Sequence, residues 1–183
     1  MDKGLIPRRY AKALIEVAEQ RKDDVALYST MQALADAFDH TKGLQQTLAN
    51  PFVDNKDKID LLYKAVYGNH TPATDSTLAD FFKLLAQNGR IDMARAIALA
   101  YIDLYRHRHS IFRVDIVSAA PLGPTEQTRL QNVIQKHVGN GTFEFNYSVD
   151  PALIGGFTVT VNSERLDASV ASQLKHLRLK LVK

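Results

Sequence analysis

Ser110-Ile111-Phe112-Arg113-Val114-Asp115-Ile116-Val117 is the stretch in which the chain changes its period. Phe112, Val114 and Ile116 fall on one side and Arg113 and Asp115 on the other, the two-residue alternation of a half-buried strand. Upstream, apolar residues recur every three or four positions: Tyr10/Leu14/Val17, Leu27/Met31/Leu34/Phe38, Ile59/Leu62/Val66, Leu78/Phe82/Leu85 and Ile97/Tyr101/Leu104. Helix therefore follows helix until about residue 108. Asn50-Pro51 ends a short helix around Leu44 to Leu48, because proline disfavours helical geometry in the residue before it. Asp54 is placed to cap the next helix, and Gly68-Asn69 and Asn88-Gly89 supply left-handed stops.

Downstream, Pro121 and Gly123-Pro124 end the strand, and Pro124 suits the first turn of a helix burying Leu130, Val133, Ile134 and His137 or Val138. A Gly139-Asn140-Gly141 turn leads to Phe143, Phe145, Tyr147 and Val149, which alternate, as do Phe157, Val159 and Val161 after the loop from Asp150 to Gly156. Asp167 is a suitable N-cap for a last helix with Val170, Leu174, Leu177 and Leu181 inside. The fold class this predicts is an all-α N-terminal six-helix bundle over residues 1–108 and a small α+β C-terminal domain over residues 109–183, ordered strand-helix-strand-strand-helix.

A hydrophobic fraction of 45% and a charged fraction of 23% are those of a chain that folds, far from a disordered composition. With no cysteine there is neither a disulfide framework nor a thiolate nucleophile or ligand. The N-terminus lacks the apolar run of a signal peptide, and no segment approaches the roughly 18 apolar residues that span a bilayer, so any membrane association is expected to be indirect. The net charge of +3 lies wholly after residue 107, too thinly spread for the concentrated basic stripe of a nucleic-acid binder.

Two helices carry apolar arcs wider than one core stripe. In the first, Ala11, Ile15 and Ala18 run beside Tyr10, Leu14 and Val17; in the fifth, Phe81 and Leu84 flank Leu78, Phe82 and Leu85. Such an arc is most often that of a central helix surrounded by its own bundle. It also suits a helix that packs its neighbours on one side and accepts an amphipathic partner helix on the other.

No constellation for catalysis stands out. The histidines of Arg106-His107-Arg108-His109 sit two apart and face different directions on a helix, so they read as a basic helix end rather than a metal site, and His40, His70, His137 and His176 are isolated. Gly139-Asn140-Gly141-Thr142 and Ile154-Gly155-Gly156-Phe157 lack the lysine of a phosphate loop and the spacing of a dinucleotide fold, and no serine, histidine and acid form a nucleophile elbow. No cofactor, metal or small-molecule substrate is expected. Phe143, Phe145 and Tyr147 could serve as a base-stacking platform, which makes an RNA-binding protein the alternative function. With Glu144, Asn146 and Ser148 on the opposite face, however, the rings read as core.

Several motifs are similar to one family across nearly the whole chain. Arg9-Tyr10-Ala11-Lys12-Ala13-Leu14 resembles the RYAxAL opening of the delta subunits of F-type ATP synthases and their mitochondrial relatives, the oligomycin-sensitivity-conferring proteins. Asn50-Pro51 with Lys58, the turn Leu84-Leu85-Ala86-Gln87-Asn88-Gly89-Arg90-Ile91 and the strand Val114 to Leu122 resemble further family elements. The most specific stretch is Asp150-Pro151-Ala152-Leu153-Ile154-Gly155-Gly156-Phe157, followed by Asp167-Ala168-Ser169-Val170 and Leu174. It is similar to the family's D-x-x-L-I-G-G signature and the helix after it.

The resemblance implies a non-catalytic stator subunit, peripheral on the cytoplasmic face of the bacterial inner membrane, that resists rotor torque during proton-driven ATP synthesis. Its N-terminal bundle would bind N-terminal helical segments of the alpha subunits through helices one and five, at Tyr10, Ala11, Leu14, Ile15, Ala18, Leu78, Phe81, Leu84 and Leu85. Its C-terminal domain would engage the b subunit of the peripheral stalk. Asn88, Arg90, Gly155, Gly156 and Asp167 would be structural signature residues.

Overall fold

The computed structural model describes residues 4–68, 77–162 and 164–181. The chain divides into two compact units, Met1–Tyr105 and Arg106–Lys183, three residues earlier than the change of period suggests. The first unit is helical: α1 (Leu5–Arg21), α2 (Asp24–His40), α3 (Leu44–Ala49), α4 (Asn55–Tyr67), α5 (Thr77–Gln87) and, after a 3-10 turn at Ile91–Met93, α6 (Ala94–Arg108), which runs on into the second unit. Met31, Leu34, Leu48, Leu62, Leu78, Phe82, Leu85, Ile97 and Tyr101 are its largest fully buried side chains. α5 buries Thr77, Leu78, Ala79, Phe81, Phe82, Leu85 and Ala86, most of its circumference, so most of its wide apolar arc is absorbed within the unit.

The sequence leaves open which part of the apolar arc of α1 faces inward. The inner face of this helix is Ala11, Leu14, Ile15 and Ala18, while Tyr10 is half-buried and Val17 is 39% exposed. Ala11, Leu14, Ile15 and Ala18 fill the inward arc of α1, which leaves the larger Tyr10 and Val17 on its margin.

α5 ends in a Schellman motif: the Gly89 amide donates to the Ala86 carbonyl at 3.1 Å and the Arg90 amide to the Leu85 carbonyl at 2.8 Å. Gly89 takes φ +60°, so the Asn88-Gly89 stop has the left-handed geometry that glycine supplies. Lys22 holds the equivalent position after α1 at φ +57°, without the freedom of glycine. Asp54 occupies the N-cap of α4 in extended conformation, but its carboxylate makes no capping hydrogen bond, contrary to the role expected of it.

The second unit is a mixed sheet with strand order β2-β1-β3-β4, built from β1 (Ile111–Ser118), β2 (Thr142–Val149), β3 (Gly156–Val161) and β4 (Glu164–Ser169), with α7 (Pro124–Val138) and α8 (Val170–Leu181). β1 and β2 are parallel, joined through α7, and β3 is antiparallel to both β1 and β4. Three strands were expected; β4 is the fourth. Its sequence Glu164-Arg165-Leu166-Asp167-Ala168-Ser169 has too few apolar residues to announce a strand, and it is ordered by its ladder with β3.

As a result Asp167 is not the N-cap of α8. It lies inside β4, where its Oδ1 accepts from the Ser169 amide at 2.9 Å and its Oδ2 from the Ser172 hydroxyl at 2.7 Å. Ser169 immediately precedes the helix, and its Oγ accepts from the Ser172 amide at 3.3 Å. Val170 is partly exposed and Leu174 largely so, against the expectation of an inward stripe. The side chains of His176, Leu177 and Leu181, like residues Asn69 and His70, lie outside the described part of the structure. Val133, expected inside, is 64% exposed, because α7 presses on the sheet through Ile134 with Leu130 and Val138 beside it.

Candidate functional site

α1 and α5 run antiparallel and are tied at both ends. At one end the Arg21 guanidinium meets Asp80 at 2.9 Å; at the other the Asn88 amide nitrogen donates to the Tyr10 hydroxyl at 3.1 Å. The Asn88–Tyr10 end opens onto a surface groove of about 340 Å³ lined by Ile6, Arg9, Tyr10, Ala13, Leu84 and Arg90. Ile6, Tyr10 and Ala13 fall on one side of α1 at spacings of four and three, and Val17 continues that line. Leu84 faces them from α5, 46% exposed. The Schellman turn after α5 is what carries the Arg90 side chain to the rim.

Of the nine residues expected to meet a partner helix, two reach this groove, Tyr10 and Leu84. Ala11, Leu14, Ile15, Ala18, Leu78, Phe81 and Leu85 are buried within the chain itself. The wide apolar arcs were thus mostly core, and only their margins are accessible. Ile6, Arg9 and Ala13 line the groove without having been singled out. Ile6 and Ala13 share with Tyr10 and Val17 the spacing of one helix face, which is the signal that could have found them. Arg90, read as a structural residue, is also a groove residue.

The glycine signature has a steric reason. Gly156 takes φ +81°, and a Cβ there would sit 2.4 Å from the Ala168 carbonyl oxygen; one on Gly155 would sit 3.0 Å from a Val170 methyl. The Gly155 carbonyl accepts from the Val170 amide at 3.0 Å, so the loop entering β3 is pinned to the junction of β4 and α8. On the other side of that junction, hydrogen bonds from the Ser169 hydroxyl first, then from the Ser172 hydroxyl and the Ser169 amide, lower the Asp167 pKa from 3.8 to about 2.

On the sheet, Phe112, Phe143, Phe145 and Tyr147 form a stacked ladder with successive centroids 5.4, 5.9 and 6.4 Å apart. The rings of β2 are half-buried against the core of Val114, Ile116, Ile134 and Val159, and the Tyr147 hydroxyl accepts from Gln131 of α7 at 2.9 Å. Rings occupied with one another and with α7 give no support to the RNA-binding alternative. Past the edge of α7, among the described residues, the same sheet face carries the exposed Leu166. A groove of about 740 Å³ runs between Val133 and His137 of α7, Val159 and Val161 of β3, and Leu166 of β4. Leu166 pairs with Val159 across the ladder yet is 64% exposed.

Among the described residues no group of three or more histidines and carboxylates is gathered to hold a metal ion, and no helix is long and apolar enough to cross a membrane.

A family model described as the ATP synthase delta (OSCP) subunit matches residues 6–181. The ATP synthase subunit delta of Bacteroides fragilis is 33% identical over 182 residues, covering 100% of this chain and 96% of the relative. That of Parabacteroides distasonis is 36% identical over 182 residues, covering 100% and 98%. In fold, the chain resembles one in the Toxoplasma gondii mitochondrial ATP synthase hexamer, with a TM-score of 0.69 at 20% identity and 97% of each chain covered. With its family model matched almost end to end and relatives of this identity over their whole lengths, the chain belongs to the ATP synthase delta (OSCP) subunit family.

Proposed function

We propose that this chain is a non-catalytic stator subunit of an F-type ATP synthase that ties the catalytic head to the peripheral stalk. The observation that carries the reading is the groove between α1 and α5, in a chain of this family. It is an apolar strip of Ile6, Tyr10, Ala13 and Leu84 between two helices tied to each other at both ends. An amphipathic helix laid there buries anchors at helical spacing, each worth about 1.5–3 kcal/mol when fully covered. The occupant in this reading is the N-terminal helical segment of an alpha subunit, held by the six helices of the N-terminal unit acting as one bundle.

The C-terminal unit is the attachment for the b subunit of the peripheral stalk, and the groove between α7 and β4, with Val133 and Leu166 exposed along it, is the surface on which an elongated helical partner finds apolar contact. The mechanism is mechanical. A rotor turning inside the head applies torque to it, and a tether of two binding surfaces on one chain prevents the head from turning with the rotor. ATP and protons are handled by other subunits, and the chain sits on the cytoplasmic face of the bacterial inner membrane, peripheral to it.

Titrating the full chain with a synthetic alpha N-terminal peptide tests the head-binding half. Backbone and side-chain signals of Ile6, Tyr10, Ala13 and Leu84 should shift together, while those of the buried Leu78 and Leu85 move little. Unchanged signals along the groove at saturating peptide would overturn the reading.

A further inference from the structure

Resting on that reading of the α1/α5 groove, we infer that its occupant is an acidic amphipathic helix, with carboxylates beside its apolar stripe held by a clamp of Arg9 and Arg90. The two charged side chains lining the groove are both arginines, one on α1 and one on the turn after α5. Neither guanidinium meets a carboxylate or carbonyl acceptor among the described residues, although Arg21, Arg95, Arg106 and Arg113 each do. Asp80, the acid of α5, is engaged by Arg21 at the far end of the helix pair, and the Tyr10 hydroxyl is occupied by Asn88. Among the described residues the apolar strip is therefore bordered by two guanidinium groups without a carboxylate partner.

A helix with basic residues beside its apolar stripe would bring like charges together at the rim, whereas one with glutamate or aspartate there gives each guanidinium a partner. Arginine's planar fork takes a carboxylate through two parallel hydrogen bonds, so the pairing also fixes the register of the incoming helix. Burial of Leu84 and Tyr10 supplies most of the affinity, and the clamp supplies selectivity for acidic sequences.

The test titrates the full chain with two synthetic peptides: the alpha N-terminal segment of the same synthase, and a copy with every Asp and Glu changed to Asn and Gln. The neutral copy should bind about five- to tenfold more weakly, as expected for two rim pairs that are partly covered on binding. Raising the salt concentration to 0.5 M should weaken the acidic peptide and leave the copy unchanged. Arg9→Gln and Arg90→Gln should each weaken the acidic peptide about twofold to fivefold without affecting the copy. Arg9 is exposed and Arg90 half-buried, so an unchanged far-ultraviolet spectrum and thermal midpoint are required of each variant before its affinity is read. Equal affinities for the two peptides, or arginine variants that weaken both alike, would remove the clamp and leave the head-binding reading in place. Failure of both peptides to bind the wild-type chain would overturn the reading and the clamp with it.

Discussion

The helical unit and the sheet unit solve the problem of burial differently. The first hides nine large side chains almost completely, Met31, Phe82, Leu85 and Tyr101 among them. Among the described residues, the second has a core of four buried apolar side chains, Val114, Ile116, Ile134 and Val159, with half-buried neighbours packed against it. It leaves Val133 and Leu166 open on the face where its core should continue. A helix surrounded by helices is covered all round; the small sheet, among the described residues, keeps Val133 of α7 and Leu166 of β4 exposed beside its core. The lesson is that the helical unit has the apolar material to hold its own surface rigid, and the sheet unit gains most from being covered by something else.

The largest effect that should separate them comes from the core. Leu85→Ala should cost about 2–5 kcal/mol, and Ile116→Ala a similar amount. In residue-resolved hydrogen exchange, Leu85→Ala should leave the helical unit folded but less protected, whereas Ile116→Ala, taken from so small a core, should abolish protection across all four strands. Equal residual protection in the two units would break the comparison.

Gly156→Ala comes next. The added methyl meets the Ala168 carbonyl at 2.4 Å in a backbone conformation that side chains rarely adopt, so a loss of about 1–3 kcal/mol is expected, visible in thermal melts as a change confined to the sheet unit.

The helical unit should respond in the opposite direction at Lys22. Replacing this left-handed residue with glycine removes a strain of about 1 kcal/mol and should raise the denaturant midpoint for that unit alone. Tyr10→Phe, which removes the acceptor of the Asn88 hydrogen bond, should lower it by about 1 kcal/mol.

The smallest effect concerns acid. Asp167 has a folded-state pKa of about 2 against an ordinary 3.8. Its hydrogen bonds with Ser169 and Ser172 therefore stabilise the sheet unit above about pH 4 and are lost as the pH falls from there towards 2. An Asp167→Asn variant should show a shallower loss of sheet stability across that window, and a slope identical to that of the wild type would remove the role.

How much of this could be read beforehand varied with the kind of signal. Helices with strong three- and four-residue periodicity were legible, as were the turns at Asn50-Pro51, Asn88-Gly89 and Gly123-Pro124, because each depends on local backbone geometry. β4 was not, since Glu164 to Ser169 becomes a strand only through pairing with β3. The groove was half legible. Wide arcs on α1 and α5 marked the right helices, but which margin faced outward depended on what lay against Ala11 and Ala18.

The amino-acid sequence by itself determined the change of architecture at Ser110, the kinship with delta subunits carried by the RYAxAL and LIGG stretches, and the lack of any local motif for catalysis. Those depend on residues near one another in the chain. Only the tertiary structure decided that Tyr10 and Leu84 are accessible while Phe81 and Leu85 are not, that two arginines border the same strip, and that Leu166 is exposed on the sheet. Burial is a property of distant neighbours: a side chain's spacing in the sequence says which face of a helix it shares, and packing alone says which faces are left for a partner.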